Sequence, residues 1–358
     1  MSDINDVKKY LVFNFNQEYE IPKYKLNKGR ELVEWGADNL YPEYLLDLYN
    51  HKGSAAHKSI IDKKVRLITG QGFDEITDPQ LSDFLKMNKV DIEIAKMALD
   101  YELFNGFCFE IIWNRAGDKI NKIKHVKFHN VRIGYERQSE IGEFYWYSED
   151  WSQYRKEEYR PEFIKGYDSE NRGGRQLYYY TEYNPQSTYY PIVQYSNTLN
   201  WIELDYEISN FHLSGAKNGY TPAFILNFAT GIPTEEEQDD FAKAFKREFS
   251  GTSNNNKVII TWSEGKEGAP EIIPVSTNDS DDRFVNLESQ IKDEIIRGAG
   301  VPLQLLSLVP GKLGSSEERM ELMQEFQMDY ISPKQVILED ALNEVFQTDQ
   351  IRLKKYAE

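Results

Sequence analysis

The chain has 358 residues, 40% of them hydrophobic, enough to build two or three packed cores. Its formal net charge of −17, from 59 acids against 42 bases, argues against a nucleic-acid reader, whose affinity comes from Lys and Arg displacing counterions. The single cysteine, Cys108 between Phe107 and Phe109, excludes a disulfide-stapled fold and reads as a small buried hydrophobe in a protein made in a reducing cytoplasm.

In chain order, Leu11, Phe13 and Phe15 alternate as a strand, and a lysine-bearing arm follows. Trp35-Gly36-Ala37-Asp38-Asn39-Leu40-Tyr41-Pro42 reads as a turn into a helix, with Asn39 or Tyr41 near the cap and Pro42 in the first turn. Leu45, Leu46, Leu48 and Tyr49 supply its apolar face. Spacing predicts further helices over about 54–69, ended by Gly70-Gln71-Gly72, and over about 91–105, with Ile92, Ile94, Ala98 and Leu103 in its apolar set. At Phe107 the period changes. Phe107–Trp113 is strand-like, Asn114–Asp118 is a turn, and Ile120–Ile133 is a returning strand. Between 135 and 195, tyrosines, Phe and Trp punctuated by Gly and Pro describe half-buried strands rather than a sugar- or base-stacking surface.

Residues 197–217 read as a helix with Leu199, Ile202, Tyr206 and Leu213 in line. A compact βαββ unit follows: strand Ala223–Phe228, a helix capped at Thr234 and carrying Phe241, Phe245 and Phe249, then strands Lys257–Trp262 and Glu271–Val275. The next helix opens with Asp279, Asp281 and Asp282 at its positive end and places Phe284, Leu287, Ile291 and Ile295 on one stripe. Gly298 and Gly300 are expected to end it, and Pro302 to stop it resuming. Val301–Gly314 is then an apolar loop bounded by breakers. Ser315–Glu318 is a capping box for a helix bearing Met323, Phe326 and Tyr330, which Pro333 is expected to break. Ser332 and Gln335 form a second box before Leu338, Ala341, Leu342 and Val345.

The run Ile295-Ile296-Arg297-Gly298-Ala299-Gly300-Val301-Pro302-Leu303-Gln304-Leu305-Leu306, the loop after it, the Ser-started helix, and Ser332-Pro333 before a last amphipathic helix resemble the carboxyl-terminal half of tailed-phage portal proteins. The two long helices flanking a small βαββ unit are similar to the stem–clip–stem order of that family. Trp35-Gly36, Asn39 and Tyr41-Pro42 resemble the amino-terminal region of some of its members.

The resemblance implies an α+β portal fold: wing 1–195, stem helix 196–222, clip 223–277, second stem helix 278–300, tunnel loop 301–314 and carboxyl-terminal wing helices 315–358, with the crown short or absent. It implies a homo-oligomeric ring, usually of about twelve subunits, at one capsid vertex of the virion, assembled in the host cytoplasm. Double-stranded DNA would pass through it during packaging and ejection without sequence specificity. Further implied partners are the terminase large subunit, the head–tail adaptor and the major capsid protein. Hydrolysis of ATP would belong to the terminase, so no enzyme is expected here. The channel-facing loop would comprise Leu303, Leu305, Leu306, Ser307, Leu308, Val309, Pro310, Gly311, Lys312 and Leu313, hinged at Gly300, Pro302 and Gly314. The acidic balance fits such a conduit, because a negative wall repels a duplex carrying about one charge per 1.7 Å and lets it slide.

Neither a cofactor nor a metal is expected. Leu313 stands where a phosphate loop needs Ser or Thr after Gly311-Lys312, and Leu306 where it needs its first glycine. His51, His57, His125, His129 and His212 are scattered, and Asp279–Asp282 lacks the glycine and closing Glu of a calcium loop. No apolar run of about 18 residues could span a membrane, and the first residues lack the regions of a signal peptide. Two other classes stay open: a metal-dependent nucleic-acid-processing hydrolase with dispersed carboxylates, and a β-rich tail or surface binding module built on 135–195.

Overall fold

The computed structural model describes residues 24–135, 141–218, 224–228, 234, 238, 240, 258–262, 278–306 and 316–355. The chain forms two compact units, Met1–Glu43 with Gly106–Ile192 and Tyr44–Asn105 with Val193–Glu358. Helices and a mixed sheet make the α+β architecture. The expected strand around Leu11, the Phe241–Phe249 helix face and the strand Glu271–Val275 lie outside the described residues.

The first unit holds a hairpin, β1 (Tyr24–Asn27) and β2 (Leu32–Trp35), and a six-stranded sheet. Its strands are β3 (Gly106–Trp113), β4 (Ile120–His125), β5 (Val131–Ile133), β6 (Phe144–Tyr147), β7 (Glu162–Gly166) and β8 (Arg175–Thr181), in the spatial order β4-β3-β8-β7-β6-β5. Neighbours are antiparallel except β7 and β8. Strand β3 is inner and buried along nearly its whole length, which is why its sequence is a continuous apolar run without alternation. Phe107 stacks on Tyr180 at 5.2 Å, Phe109 on Tyr178 at 5.0 Å, and Phe128 on Tyr179 at 4.9 Å. These β8 tyrosines therefore pack within the sheet, as half-buried strands require, and Cys108 is buried beside them.

The returning strand expected over Ile120–Ile133 is two strands, parted by a 3₁₀ turn at Phe128–Asn130. The turn drops Phe128 into the aromatic core, edge-on to Trp35 at 5.7 Å, and presents the Asn130 carbonyl to Trp151 Nε1 at 2.9 Å.

Helix α1 (Tyr41–Asn50) starts where the Tyr-Pro pair predicts. The second unit continues with α2 (Ala55–Thr69), α3 (Pro79–Met87), α4 (Val90–Phe104) and α5 (Leu199–Asn218). Strands β9 (Phe224–Phe228) and β10 (Val258–Trp262) follow, then α6 (Asn278–Ala299), α7 (Leu303–Leu306), α8 (Ser316–Phe326) and α9 (Ser332–Phe346). Ser54 caps α2, its Oγ accepting from Ala56 N–H at 3.1 Å. Strands β9 and β10 pair in parallel, a pairing that needs a long crossover between them. The segment 351–354 returns to lie beside the end of α2: Gln71 N–H donates to the Lys354 carbonyl at 2.9 Å and Lys354 N–H to the Gly72 carbonyl at 2.8 Å. A Cβ on Gly70 would sit 2.1 Å from that Lys354 oxygen, so only glycine fits under the returning chain.

Candidate functional site

The stretch from α6 to α9 is the one singled out by the sequence, and it lies in the second unit. Helix α6 packs against both α2 and α5 and buries Ile291, Ile295 and Ile296. Gly298, expected to terminate this helix, instead lies inside it. A Cβ there would be 2.0 Å from Thr198 Cγ2, so glycine permits close packing at that point. The terminator is Gly300, at φ +65°, whose N–H donates to the Arg297 carbonyl at 3.1 Å.

Beyond Pro302 the chain is not immediately irregular. Leu303–Leu306 form the short helix α7, with Leu305 N–H donating to the Pro302 carbonyl at 3.0 Å. Proline is tolerated just before such a turn because its missing N–H would have no partner there. Leu305, expected to face the channel, is instead buried in the chain, while Leu306 is half-buried. Ser307, Leu308, Val309, Pro310, Gly311, Lys312, Leu313 and Gly314 lie outside the described residues.

Helix α8 begins at Ser316 with Glu317 and Glu318 in its first turn, where the helix dipole favours acids. The expected break at Pro333 does not occur. A π turn over Gln327–Ile331 joins α8 directly to α9, and its wider winding relieves the clash of the proline ring with the preceding turn. The extra residue lets Phe326, Gln327, Ile331, Lys334 and Gln335 all be buried. The second capping box does not form. Ser332 is already helical, and Gln335 instead donates from Nε2 to the Ile68 carbonyl at the end of α2, at 3.0 Å. Its Oε1 accepts from Gln327 Nε2 at 3.1 Å.

A buried ionic knot fixes the π turn to α2 and α4. Glu102 lies between two ammonium groups, Lys334 Nζ at 3.0 Å and Lys64 Nζ at 3.6 Å, and all three side chains are almost fully buried. Tyr330 donates to the Glu102 carboxylate at 2.8 Å, and Lys64 Nζ donates to Tyr330 Oη at 2.9 Å. Lys334 also lies over the Tyr101 ring at 3.9 Å. Burial alone would push the Glu102 carboxyl up, but Lys334 and Lys64 outweigh it and hold Glu102 below the usual carboxylate range. Burial draws Lys64 down against the pull of Glu102. Next to them His57 is buried, its ring 4.6 Å from that of Tyr195, and burial followed by the charge of Lys64 lowers its pKa to about 4.

At the start of α5, Leu199 and Ile202 are buried, but Phe211 and the expected stripe residue Leu213 are exposed farther along. His212 Nε2 lies 3.6 Å from Glu288 Oε1, linking α5 to α6.

Within the first unit, the Trp-Gly-Ala-Asp-Asn motif is locked by Arg132, a fully buried residue that carries no signal of this role in the sequence. Asn39, at φ +67°, accepts at Oδ1 from Trp35 N–H at 2.9 Å and from Arg132 Nε at 2.5 Å. The guanidinium also donates to the Asn39, His129 and Val131 carbonyls and lies 4.8 Å from the centre of the Trp151 ring. Helix α3 is a further element not expected from the sequence pattern, although Asp78-Pro79 carries its start signal: Asp78 Oδ1 accepts from Gln80 N–H at 2.9 Å.

Among the described residues, no group of three His, Cys, Asp or Glu side chains is placed to hold a metal ion, and no helix is long and apolar enough to cross a membrane.

Residues 93–357, from α4 past the returning segment 351–354, match the family model described as "Phage portal protein". A "Probable portal protein" of Haemophilus phage HP1 (strain HP1c1) is 20% identical over 162 residues, 45% of this chain and 47% of that protein, so the matched part spans about half of the curated relative. A chain of the "Virion of native gene transfer agent (GTA) particle" superposes with a TM-score of 0.58 at 12% identity, over 88% of this chain and 83% of its own. The same figures hold for a chain from the "Neck of native GTA particle computed with C12 symmetry". These two likenesses establish a shared fold. With most of its length matched by the family model, including the whole α6–α9 stretch, the chain belongs to the phage portal protein family.

Proposed function

We propose that this portal protein forms a homo-oligomeric ring, of about twelve copies as in the C12 neck of its structural neighbour, at one vertex of a phage capsid. Family membership across α6 to α9 is the observation that carries this reading. In the ring, α5 and α6 serve as stem helices, β9 and β10 belong to the clip, and the remaining elements serve as the wing. Double-stranded DNA passes along the axis, and the terminase large subunit, the head–tail adaptor and the major capsid protein dock around it. The channel loop runs from Leu306 through Leu313, with α7 as its anchored root. Its Leu, Val and Pro side chains have no donors for phosphate, so contact with DNA is steric and blind to sequence. Lys312 is its one formal cation.

The family match favours this reading over a hydrolase or a glycan-binding module.

Negative-stain microscopy of the purified chain should show rings of about twelve subunits. A species that stays monomeric at micromolar concentration would overturn the ring. Leu306→Ser with Leu308→Ser should leave rings intact and impair DNA packaging or retention. Normal phage yield from that variant would remove the loop from the channel.

A further inference from the structure

The first unit contains a concave site that the portal reading does not use. Arg30, at the end of the β1–β2 turn, faces a segment between β6 and β7 that contributes Arg155, Lys156 and Arg160. The four cations rim a cavity of about 560 Å³, with Glu157 as the one acid in its lining. Its floor is less polar: Leu32 is buried, and Trp146 and Pro161 are half-buried. In a chain with 59 acids against 42 bases, four cations converging on one cavity with one acid is a local reversal of charge. An anion seated there would relieve their mutual repulsion.

We infer that this cavity binds a short acidic peptide segment of a partner protein, its carboxylates on the guanidinium groups and an apolar side chain on the floor. Planar guanidinium forks match carboxylates in two-point contact, and clusters of arginine are a recurrent means of reading acidic motifs. Nucleic acid fits less well. A duplex is too broad and stiff to enter a cavity of this size. Of the two aromatic side chains in the lining, Tyr154 is already covered, with Arg30 4.4 Å and Arg155 5.8 Å from its ring centre, and Trp146 is half-buried. The net charge of −17 also repels a uniform polyanion at long range, whereas a peptide with a few acids meets the local field.

The test is fluorescence anisotropy on the full chain with three labelled probes: a peptide of alternating glutamate and leucine, its glutamine–leucine counterpart, and a single-stranded oligonucleotide. The glutamate peptide should bind saturably and more weakly as salt rises, and the glutamine peptide should not bind. Arg155→Ala with Arg160→Ala, both exposed positions, should weaken binding by about tenfold or more, since charge-assisted bonds are lost. Lys122→Ala, an exposed cation on β4 outside the cavity, should leave it unchanged. The inference is overturned if the glutamate peptide does not bind, if the double variant binds it as well as the parent, if Lys122→Ala weakens it equally, or if the oligonucleotide binds through the same arginines more tightly than the peptide.

Discussion

Replacing Glu102 with Gln removes the shared partner of two buried ammonium groups while nearly preserving shape. At an effective dielectric of about 20, each contact of 3.0 and 3.6 Å is worth about 5 kcal/mol of attraction, and desolvation of the three charges offsets most of it. The net worth of the knot is therefore small, but breaking it is not symmetrical with never having made it. The variant leaves Lys64 and Lys334 uncompensated, and the expected loss is about 3–5 kcal/mol. Urea unfolding followed by circular dichroism reads the loss as a lower midpoint. Hydrogen exchange localises it, with faster exchange in α2, α4 and α9 and little change in β3. A triple variant, Lys64→Met, Glu102→Leu and Lys334→Met, should recover most of the stability because no charge is left stranded. The pH dependence has a definite sign. With Glu102 held below its ordinary 4.5, the stabilisation is present above that pH and disappears as pH falls through the lower folded-state value. A loss under about 1 kcal/mol for Glu102→Gln would refute the idea that the knot is dry and tightly paired.

Three further outcomes are expected. His57, near 4 when folded against an ordinary 6.5, should cost the fold up to about 3 kcal/mol as pH falls from 6.5 to 4, because the unfolded chain takes up the proton first. His57→Gln should flatten that part of the stability profile, and an unchanged slope would assign it elsewhere. Gly298→Ala should destabilise by about 1–3 kcal/mol through collision with Thr198 Cγ2, and adding Thr198→Ser, which deletes that methyl and keeps the hydroxyl, should restore part of the loss in thermal melts. Asn39→Ala should cost about 2–4 kcal/mol, combining two lost acceptor contacts with the strain of a left-handed backbone, whereas Asn39→Gly should recover only the strain. Equal unfolding midpoints for the two variants would show that the strain is negligible.

Elements set by local chemistry were legible in the sequence. The Tyr41-Pro42 helix start, the apolar run of β3 and the Ile291–Ile295 stripe all write their signals within a turn or two of the residues they govern. Features decided by distant partners were not. Nothing near Gly298 announces Thr198 a hundred residues away, so a glycine that serves packing reads like one that ends a helix. Ser332 and Gln335 have the spacing of a cap, but Gln335 finds the Ile68 carbonyl across the core. Only the apolar, breaker-bounded character of Val301–Gly314 was legible. That Leu305 turns inward could not be, because its neighbours come from another part of the chain. Arg132 and the Lys64–Glu102–Lys334 knot escaped for the same reason: a charged residue carries no local mark of burial.

The π turn at Gln327–Ile331 makes the carboxyl-terminal rod a screw with one thread cut wide. Each residue in an α-helix advances the azimuth by about 100°, and a π turn spends about one residue more on the same circuit, so deleting a single residue there would let the rod close to regular winding with α8 keeping nearly its direction. A substitution in this turn alters a contact. A one-residue deletion inside it removes the bulge itself, whereas the same deletion in the regular part of α8 or α9 would turn everything beyond it by about 100° around the axis.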